Sequence, residues 1–128
     1  MTPELTKLTW VVALHLVCWV PYILNRIMVR GLIDAVGYPE DPKPLSAWAQ
    51  RAKKAHYNSV ENLVAFAAIV LVLNAAGISN ETTVLACTVY FWARLVHLVV
   101  YTAGIPWART LAYFVGWLST IALVVQAL

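Results

Sequence analysis

The stretch RAKKAHYNSVENLVAFAAIVLVL, from Arg51 to Leu73, passes from a charged segment into an unbroken apolar run. Hydrocarbon solvates the second half of this stretch well, whereas Lys54, Asn58 and Glu61 are costly to place in lipid. The order of the residues therefore predicts a helix that begins in water and continues across a membrane. Its polar side chains must then face either water or a polar site that the protein encloses.

The composition of the whole chain supports a membrane protein. Of its 128 residues, 62% are hydrophobic and 12% are charged, whereas soluble domains carry roughly 25% charged residues. The length predicts a single domain spanning residues 1–128. The chain has no lysine-rich block or base-stacking motif, so we expect no nucleic-acid partner. Its two cysteines, Cys18 and Cys87, have no metal-ligand spacing, and we predict no metal site.

Four apolar stretches predict an all-α integral membrane protein. The first runs from Leu8 to Arg30, with a kink at Pro21, and no cleavage site for a signal peptide follows it. Residues 31–46, rich in Gly, Pro and acidic residues, predict a loop. The other predicted helices are Ala47–Ala75, Glu81–Ala103 and Pro106 to near Leu128. Because the last two turns are short, neighbouring helices should be antiparallel, as in an up-down four-helix bundle.

Helix-end residues and basic residues refine this prediction. Ser46 is predicted to cap the second helix, Ser79 or Asn80 the third, and Pro106 to lie in the first turn of the fourth. Basic residues are concentrated in and around the first loop, at Arg26, Arg30, Lys43, Arg51, Lys53 and Lys54. The positive-inside rule then places the first and third loops in the cytoplasm and both termini outside.

Two of the predicted helices carry a stripe of polar side chains. At about 100° per residue, the stripe on the second helix spans roughly 80° and consists of Arg51, Lys54, Asn58 and Glu61. The stripe on the third helix spans roughly 60° and consists of Tyr90, Arg94, His97 and Tyr101. Since these helices should be antiparallel and adjacent, we expect the two stripes to wall a cavity that opens to the cytoplasm.

Arg94 lies in the middle of an apolar helix, where a guanidinium is expensive unless it is paired. Glu61 is the only acidic residue in the interior of any of the apolar stretches, so we predict a Glu61–Arg94 ion pair. These polar residues also have purely structural interpretations. The pair can be a bridge without a ligand, His97 can hydrogen-bond between helices, and the basic residues can be ordinary helix-end charges.

Several motifs resemble those of one known family, the membrane-associated proteins in eicosanoid and glutathione metabolism (MAPEG). RAKKAHYNSVENL is similar to the family signature R-x-x-[RK]-A-x-x-N-x-x-E. The stretch ARLVHLVVY on the third helix and Arg109 in the fourth helix also resemble family members. The resemblance covers most of the chain, from about Leu8 to its end. A short prokaryotic member, in a bacterial inner membrane, is the type that the sequence resembles.

The resemblance implies a homotrimer of four-helix subunits that binds glutathione in a cytoplasm-facing pocket between neighbours. It implies that Lys54, Asn58, Glu61, His97 and Tyr101 hold the tripeptide, that Arg94 belongs to the polar core and that Arg109 lies near the thiol. Arg26 or Arg30 would contribute from the adjacent subunit. Arg51 and Lys54 offer cations to the glutathione carboxylates, and Glu61 offers an acceptor to its ammonium.

The expected function is a glutathione transferase- or peroxidase-like activity that activates the thiol toward an apolar electrophile or lipid hydroperoxide. Such a substrate would enter from the bilayer, along a route that Trp107, Tyr113 and Trp117 can line. Two alternatives stay open at this point. One is a non-catalytic membrane protein of the same fold that binds a lipid or a partner, and the other is a proton-coupled exporter. The exporter is disfavoured because the first predicted helix contains no acidic residue.

Overall fold

The structure, a computed structural model, describes residues 1–41 and 43–128. It is built from helices, and four spans are long and apolar enough to cross a bilayer. The helices are α1 (Pro3–Val17), α2 (Val20–Arg30), α3 (Leu32–Val36), α4 (Ala47–Ala75), α5 (Glu81–Ala103) and α6 (Pro106–Ala127). Helices α1 and α2 together form the first span. The predicted four-helix architecture is confirmed, and the predicted bounds of α4 and α5 agree with the structure.

The first span starts earlier than predicted and is interrupted where the kink was expected. Helix α1 begins at Pro3 rather than at Leu8, because the Thr2 hydroxyl accepts a hydrogen bond from the Leu5 N–H and caps the helix. The helix breaks between Val17 and Val20. Pro21 has no N–H to donate to the carbonyl one turn before it, so the regular ladder cannot continue there.

Helix α5 is the central element, since it packs against α1, α4 and α6. A core of apolar side chains fills the half of the bundle nearest the α4–α5 turn. At its centre the rings of Phe66 and Tyr90 stack in parallel, with centroids 3.7 Å apart, and Val11 and Leu123 are fully buried against them. The opposite half of the same α4–α5 interface is polar, and it contains the candidate site.

The α4–α5 turn is fastened to the N-terminal residues. As predicted, Asn80 caps α5, in a reciprocal capping box with Thr83. Ser79 instead donates to Glu4, whose Oε1 lies 2.9 Å from the serine Oγ and also accepts a hydrogen bond from the Thr83 hydroxyl. Glu4 is therefore buried without a basic partner, held by hydroxyl donors at the start of α5.

Residues 31–46, which we call loop one, differ from the prediction because they contain the short helix α3. Two arginines of α2 hold this loop: Arg26 Nε donates to the Ala35 carbonyl at 3.2 Å, and Arg30 pairs with Asp41. The sequence did not predict these contacts, because they depend on how loop one folds back against α2. Pro42, which falls within the predicted loop, lies outside the described residues.

The start of α4 is anchored by a residue that the sequence did not single out. The buried Asn25 donates from Nδ2 to the Ser46 Oγ and accepts from the Ser46 N–H, both at 2.9 Å. Ser46 occupies the predicted N-cap position, yet its side chain makes no capping hydrogen bond. An amide from α2 satisfies the Ser46 N–H instead, and this fixes the position of α4 relative to α2.

Candidate functional site

A single arginine organises the polar half of the α4–α5 interface. Arg94 is only 1% exposed. Its Nη2 donates to Asn58 Oδ1 at 2.8 Å and to Ser59 Oγ at 2.7 Å, and it lies 3.3 Å from His97 Nδ1. His97 is also buried. Because α4 and α5 are antiparallel, Asn58 and Ser59 face Arg94 at the same depth. The two predicted polar stripes therefore meet at Asn58, whereas Lys54 and Glu61 of the α4 stripe are exposed.

The predicted Glu61–Arg94 ion pair is wrong for this protomer. Glu61 is exposed, and within residues 1–41 and 43–128 the only ion pair joins Arg30 to Asp41, at 3.6 Å. Three residues rotate a helix by about 300°, so Glu61 lies roughly 60° around α4 from Asn58. That rotation carries the carboxylate away from α5, while the neutral Asn58 and Ser59 are left to accept from Arg94.

Arg109 lies on the other side of His97. The turn that ends α5 uses Gly104 at φ +79°, and Pro106 then opens α6. This short turn places Arg109 over Tyr101, with its Cζ 4.6 Å from the ring centroid. The Tyr101 ring in turn meets His97 edge-on, at a centroid distance of 5.5 Å. A cationic side chain is thus held on an aromatic face, an attractive arrangement.

These side chains surround a cavity of about 250 Å³, which we call the polar cavity. It is lined by Asn58, His97, Tyr101, Arg109, Thr110 and Tyr113. A smaller neighbouring cavity of about 140 Å³ shares Tyr101 and Arg109 with it and extends to Arg51. Ligand pockets typically measure about 300–1,000 Å³, so the polar cavity is somewhat smaller than a typical small-molecule pocket.

Arg51 is held at the mouth of the smaller cavity by the backbone of α5. Its Nε donates to the Thr102 carbonyl at 2.9 Å. The guanidinium also passes close to Gly104: a Cβ built on that glycine would lie 3.3 Å from the Arg51 Cζ. Gly104 therefore serves two purposes, since it permits the left-handed turn and leaves room for Arg51.

Five of the predicted binding residues do not line the polar cavity. Lys54 and Glu61 are exposed on the surface of α4, and Arg26 and Arg30 contact loop one. Of the predicted residues, the structure brings Asn58, His97, Tyr101 and Arg109 around the polar cavity, with Arg94 behind them. Arg51, the fifth, lines the neighbouring smaller cavity and an apolar groove instead.

Sequence reasoning missed Ser59 and Thr110, and it assigned Tyr113 only to an apolar route. Ser59 is fully buried. The sequence signal that could have found it is a small hydroxyl residue directly after Asn58 of the polar stripe. Thr110 and Tyr113 lie within one turn of Arg109 on α6 and share its cavity. Trp107 and Trp117, by contrast, are 79% and 46% exposed and are not among the residues that line it.

The charges around the two cavities are of one sign. Arg51 and Arg109 line them and Arg94 lies directly behind Asn58 and His97, while no carboxylate of the described residues lines either cavity. Hydroxyl and amide groups of Asn58, Tyr101, Thr110 and Tyr113 supply further hydrogen-bonding positions. Such a site favours an anion that also offers groups for hydrogen bonding.

Comparisons with known proteins agree with the architecture. The microsomal glutathione S-transferase 1 of Bos taurus is 31% identical over 80 residues, which are 62% of this chain and 52% of that protein. The human and rat proteins of the same name are 30% and 31% identical over equal shares. The chain thus spans about half the length of the curated relatives it matches.

No solved structure matches the chain with significant similarity. The family model described as the MAPEG family matches residues 9–128, which is nearly the whole chain and includes most of the first span and all of the other three. The resemblance stated from the motifs is confirmed. The chain is a multi-pass integral membrane protein that belongs to the MAPEG family.

Proposed function

We propose that this protein is a glutathione-dependent membrane enzyme, similar to a transferase or peroxidase, that activates the glutathione thiol toward an apolar electrophile or lipid hydroperoxide. The observation that carries the proposal is the cationic cavity in which Tyr101 holds Arg109 beside a buried Arg94. The similarity to proteins named microsomal glutathione S-transferase 1 supports the choice of glutathione.

The residues of the cavity fit most of the chemical groups of glutathione. The tripeptide has two carboxylates, one ammonium and one thiol. Arg51 and Arg109 offer cations, and Asn58, Thr110 and Tyr113 offer hydrogen bonds. The described residues that line the two cavities include no acidic partner for the ammonium.

The missing acidic group points to a second protomer. Glu61 lies near the middle of a 29-residue spanning helix and is exposed, and a carboxylate facing lipid at that depth is costly. Contact with a neighbouring protomer would remove Glu61 and the exposed Lys54 from lipid and would enlarge the cavity. We therefore propose a homotrimer, as the family resemblance implies, in which Arg26 or Arg30 of an adjacent protomer completes the site.

Arg109 is the proposed catalytic residue. A free thiol has a pKa near 8.5, and the thiolate is the nucleophile. A guanidinium beside the sulfur favours the anion and lowers the pKa of the glutathione thiol. The bound tripeptide supplies the thiol, so neither Cys18 nor Cys87 of the chain needs to react.

An apolar groove supports the proposal that the second substrate is apolar. A groove of about 640 Å³ lies between α1, α2, α4 and α5 and is lined mainly by apolar side chains such as Leu14, Trp48 and Leu98. Arg51 lines both this groove and the smaller cavity next to Arg109. We propose that the groove admits the electrophile, with loops one and three in the cytoplasm of a bacterial inner membrane.

Calorimetry with the purified protein in detergent tests the proposal. We expect saturable binding of glutathione, followed by turnover of a generic aryl halide or a lipid hydroperoxide. Lys43→Gln, which removes an exposed charge from loop one, is the control for non-specific attraction and should bind glutathione as the unaltered protein does. If glutathione shows no saturable binding, the proposed function is wrong and a non-catalytic role of the same fold takes its place.

A further inference from the structure

Arg94 is a buried cation without a counterion. It is 1% exposed, and among residues 1–41 and 43–128 no carboxylate lies within ion-pair distance of it. Its partners are the neutral Asn58 and Ser59, with His97 beside them, and its Nε has no partner. Removing a charge from water costs several kcal/mol in proteins unless an opposite charge compensates it.

The fold encloses this charge closely. Helix α6 approaches α5 at Gly116, where a Cβ would lie only 3.5 Å from the Arg94 Cδ. The hydrogen bonds to Asn58 and Ser59 join α4 to α5, but a neutral amide donor can make such bonds too. The positive charge of Arg94 is therefore not needed for those contacts, and it remains uncompensated by any carboxylate of the described residues.

We infer that Arg94 is a positioning residue whose unpaired charge stabilises the thiolate in the polar cavity, an inference that rests on the proposed function. Arg94 does not line the cavity itself, but Asn58 and His97 do, and both touch its guanidinium. In the step concerned, the S–H bond of the thiol breaks, the electron pair stays on sulfur and the proton passes to water. At an effective dielectric constant of about 20, a unit charge within about 10 Å shifts a pKa by roughly one unit or more.

The charge of Arg94 and its role in packing are separable by a substitution at Ser59. Ser59→Asp places a carboxylate next to the guanidinium, where it can form an ion pair that keeps α4 and α5 joined while cancelling the field. Ser59→Asn is the matched neutral control, since the asparagine side chain has nearly the same size as that of aspartate and also offers an oxygen acceptor to Arg94. The readout is the ultraviolet absorbance of the bound glutathione thiolate, titrated against pH in detergent.

We expect the midpoint of this titration to rise by about one pH unit in Ser59→Asp and to stay near the unaltered value in Ser59→Asn. A second pair of variants covers the case in which the buried Asp prevents folding. Arg94→Lys keeps the charge and should keep the midpoint within about half a unit, whereas Arg94→Gln keeps a donor and should raise the midpoint by about one unit. Thermal unfolding of each variant confirms that the bundle is intact.

Equal midpoints in Ser59→Asp and Ser59→Asn, or in Arg94→Lys and Arg94→Gln, would overturn the inference and leave Arg94 a structural cross-link. Calorimetry of the unaltered protein separates this outcome from failure of the proposed function. If glutathione does not bind at all, the proposed function fails. If glutathione binds and forms a thiolate whose titration midpoint does not depend on the charge of Arg94, only the inference fails.

Discussion

Replacing Arg109 by alanine is the sharpest test of how the cavity activates a thiol. Arg109 is half-buried in α6, and its guanidinium rests 4.6 Å above the Tyr101 ring. The ring and the short α5–α6 turn both stay in place when the side chain is truncated, because neither depends on it. We therefore expect Arg109→Ala to fold and to keep binding glutathione through Arg51 and Asn58, but to lose most of the thiolate.

The expected change in the pKa of the bound thiol depends on how far Arg109 is exposed to solvent. Two unit charges about 4 Å apart attract by about 4 kcal/mol at an effective dielectric constant of about 20. Because Arg109 is half-buried, solvent screening reduces this to about 2 kcal/mol, which corresponds to about 1.5 pKa units. If the bound thiol has a pKa near 6, the thiolate fraction at pH 7 falls from about nine tenths to about one quarter.

Two measurements on the same samples test whether Arg109 stabilises the thiolate: thiolate absorbance against pH, and glutathione binding by calorimetry. Arg109→Lys keeps the charge without the planar group that stacks on Tyr101, so its titration should lie between those of the unaltered protein and Arg109→Ala. An unchanged thiolate band in Arg109→Ala would remove Arg109 from the mechanism. Loss of glutathione binding together with the band would instead make Arg109 a binding residue.

Three further predictions concern the supports of the site. Asn25→Leu removes both hydrogen bonds to Ser46 and leaves the buried N–H at the start of α4 unpaired. It should cost about 1–3 kcal/mol, measurable as a lower thermal midpoint in detergent that Asn25→Asp partly restores. Gly104→Ala puts a Cβ at φ +79° and 3.3 Å from Arg51, so it should cost about 1–2 kcal/mol and weaken glutathione binding in calorimetry. A variant as stable as the parent would contradict the left-handed turn. Glu61→Gln should lower glutathione affinity about tenfold by removing the proposed ammonium partner, with little change in thermal midpoint if the protomers stay assembled. Unaltered affinity would exclude Glu61 from the site.

Much of the architecture follows from local sequence pattern. The apolar stretches around Phe66 and Tyr90 are as long as a bilayer requires, and Pro106 and the residues at Asn80 mark helix starts by chemistry that acts within one turn. The helical period of about 100° also predicts that Asn58 lies on one polar stripe and that Arg94, His97 and Tyr101 lie on the stripe facing it. These are short-range properties of the chain, and a sequence displays them directly.

The partners of individual polar groups depended on tertiary structure. Charge alone favoured Glu61 for Arg94, but the rotation of α4 against α5 presents Asn58 and Ser59 instead. A rotation of about 60° around a helix decides whether a carboxylate faces a neighbouring helix or the outside. Packing across the whole α4–α5 interface sets the rotation of α4 about its axis, so that rotation cannot be predicted from any single residue.

Local sequence pattern is enough to predict a four-span membrane protein with a polar stripe, because hydrophobic length and helical period act along the chain. The likeness to the MAPEG family came from the motifs on the second and third predicted helices. The fold had to be known to see that Arg94 is buried with no counterion among the described residues, that Arg109 rests on Tyr101, and that Arg26 and Arg30 hold loop one. Those contacts join residues far apart in sequence. Their geometry depends on how complete helices pack, which is a property of the assembled bundle.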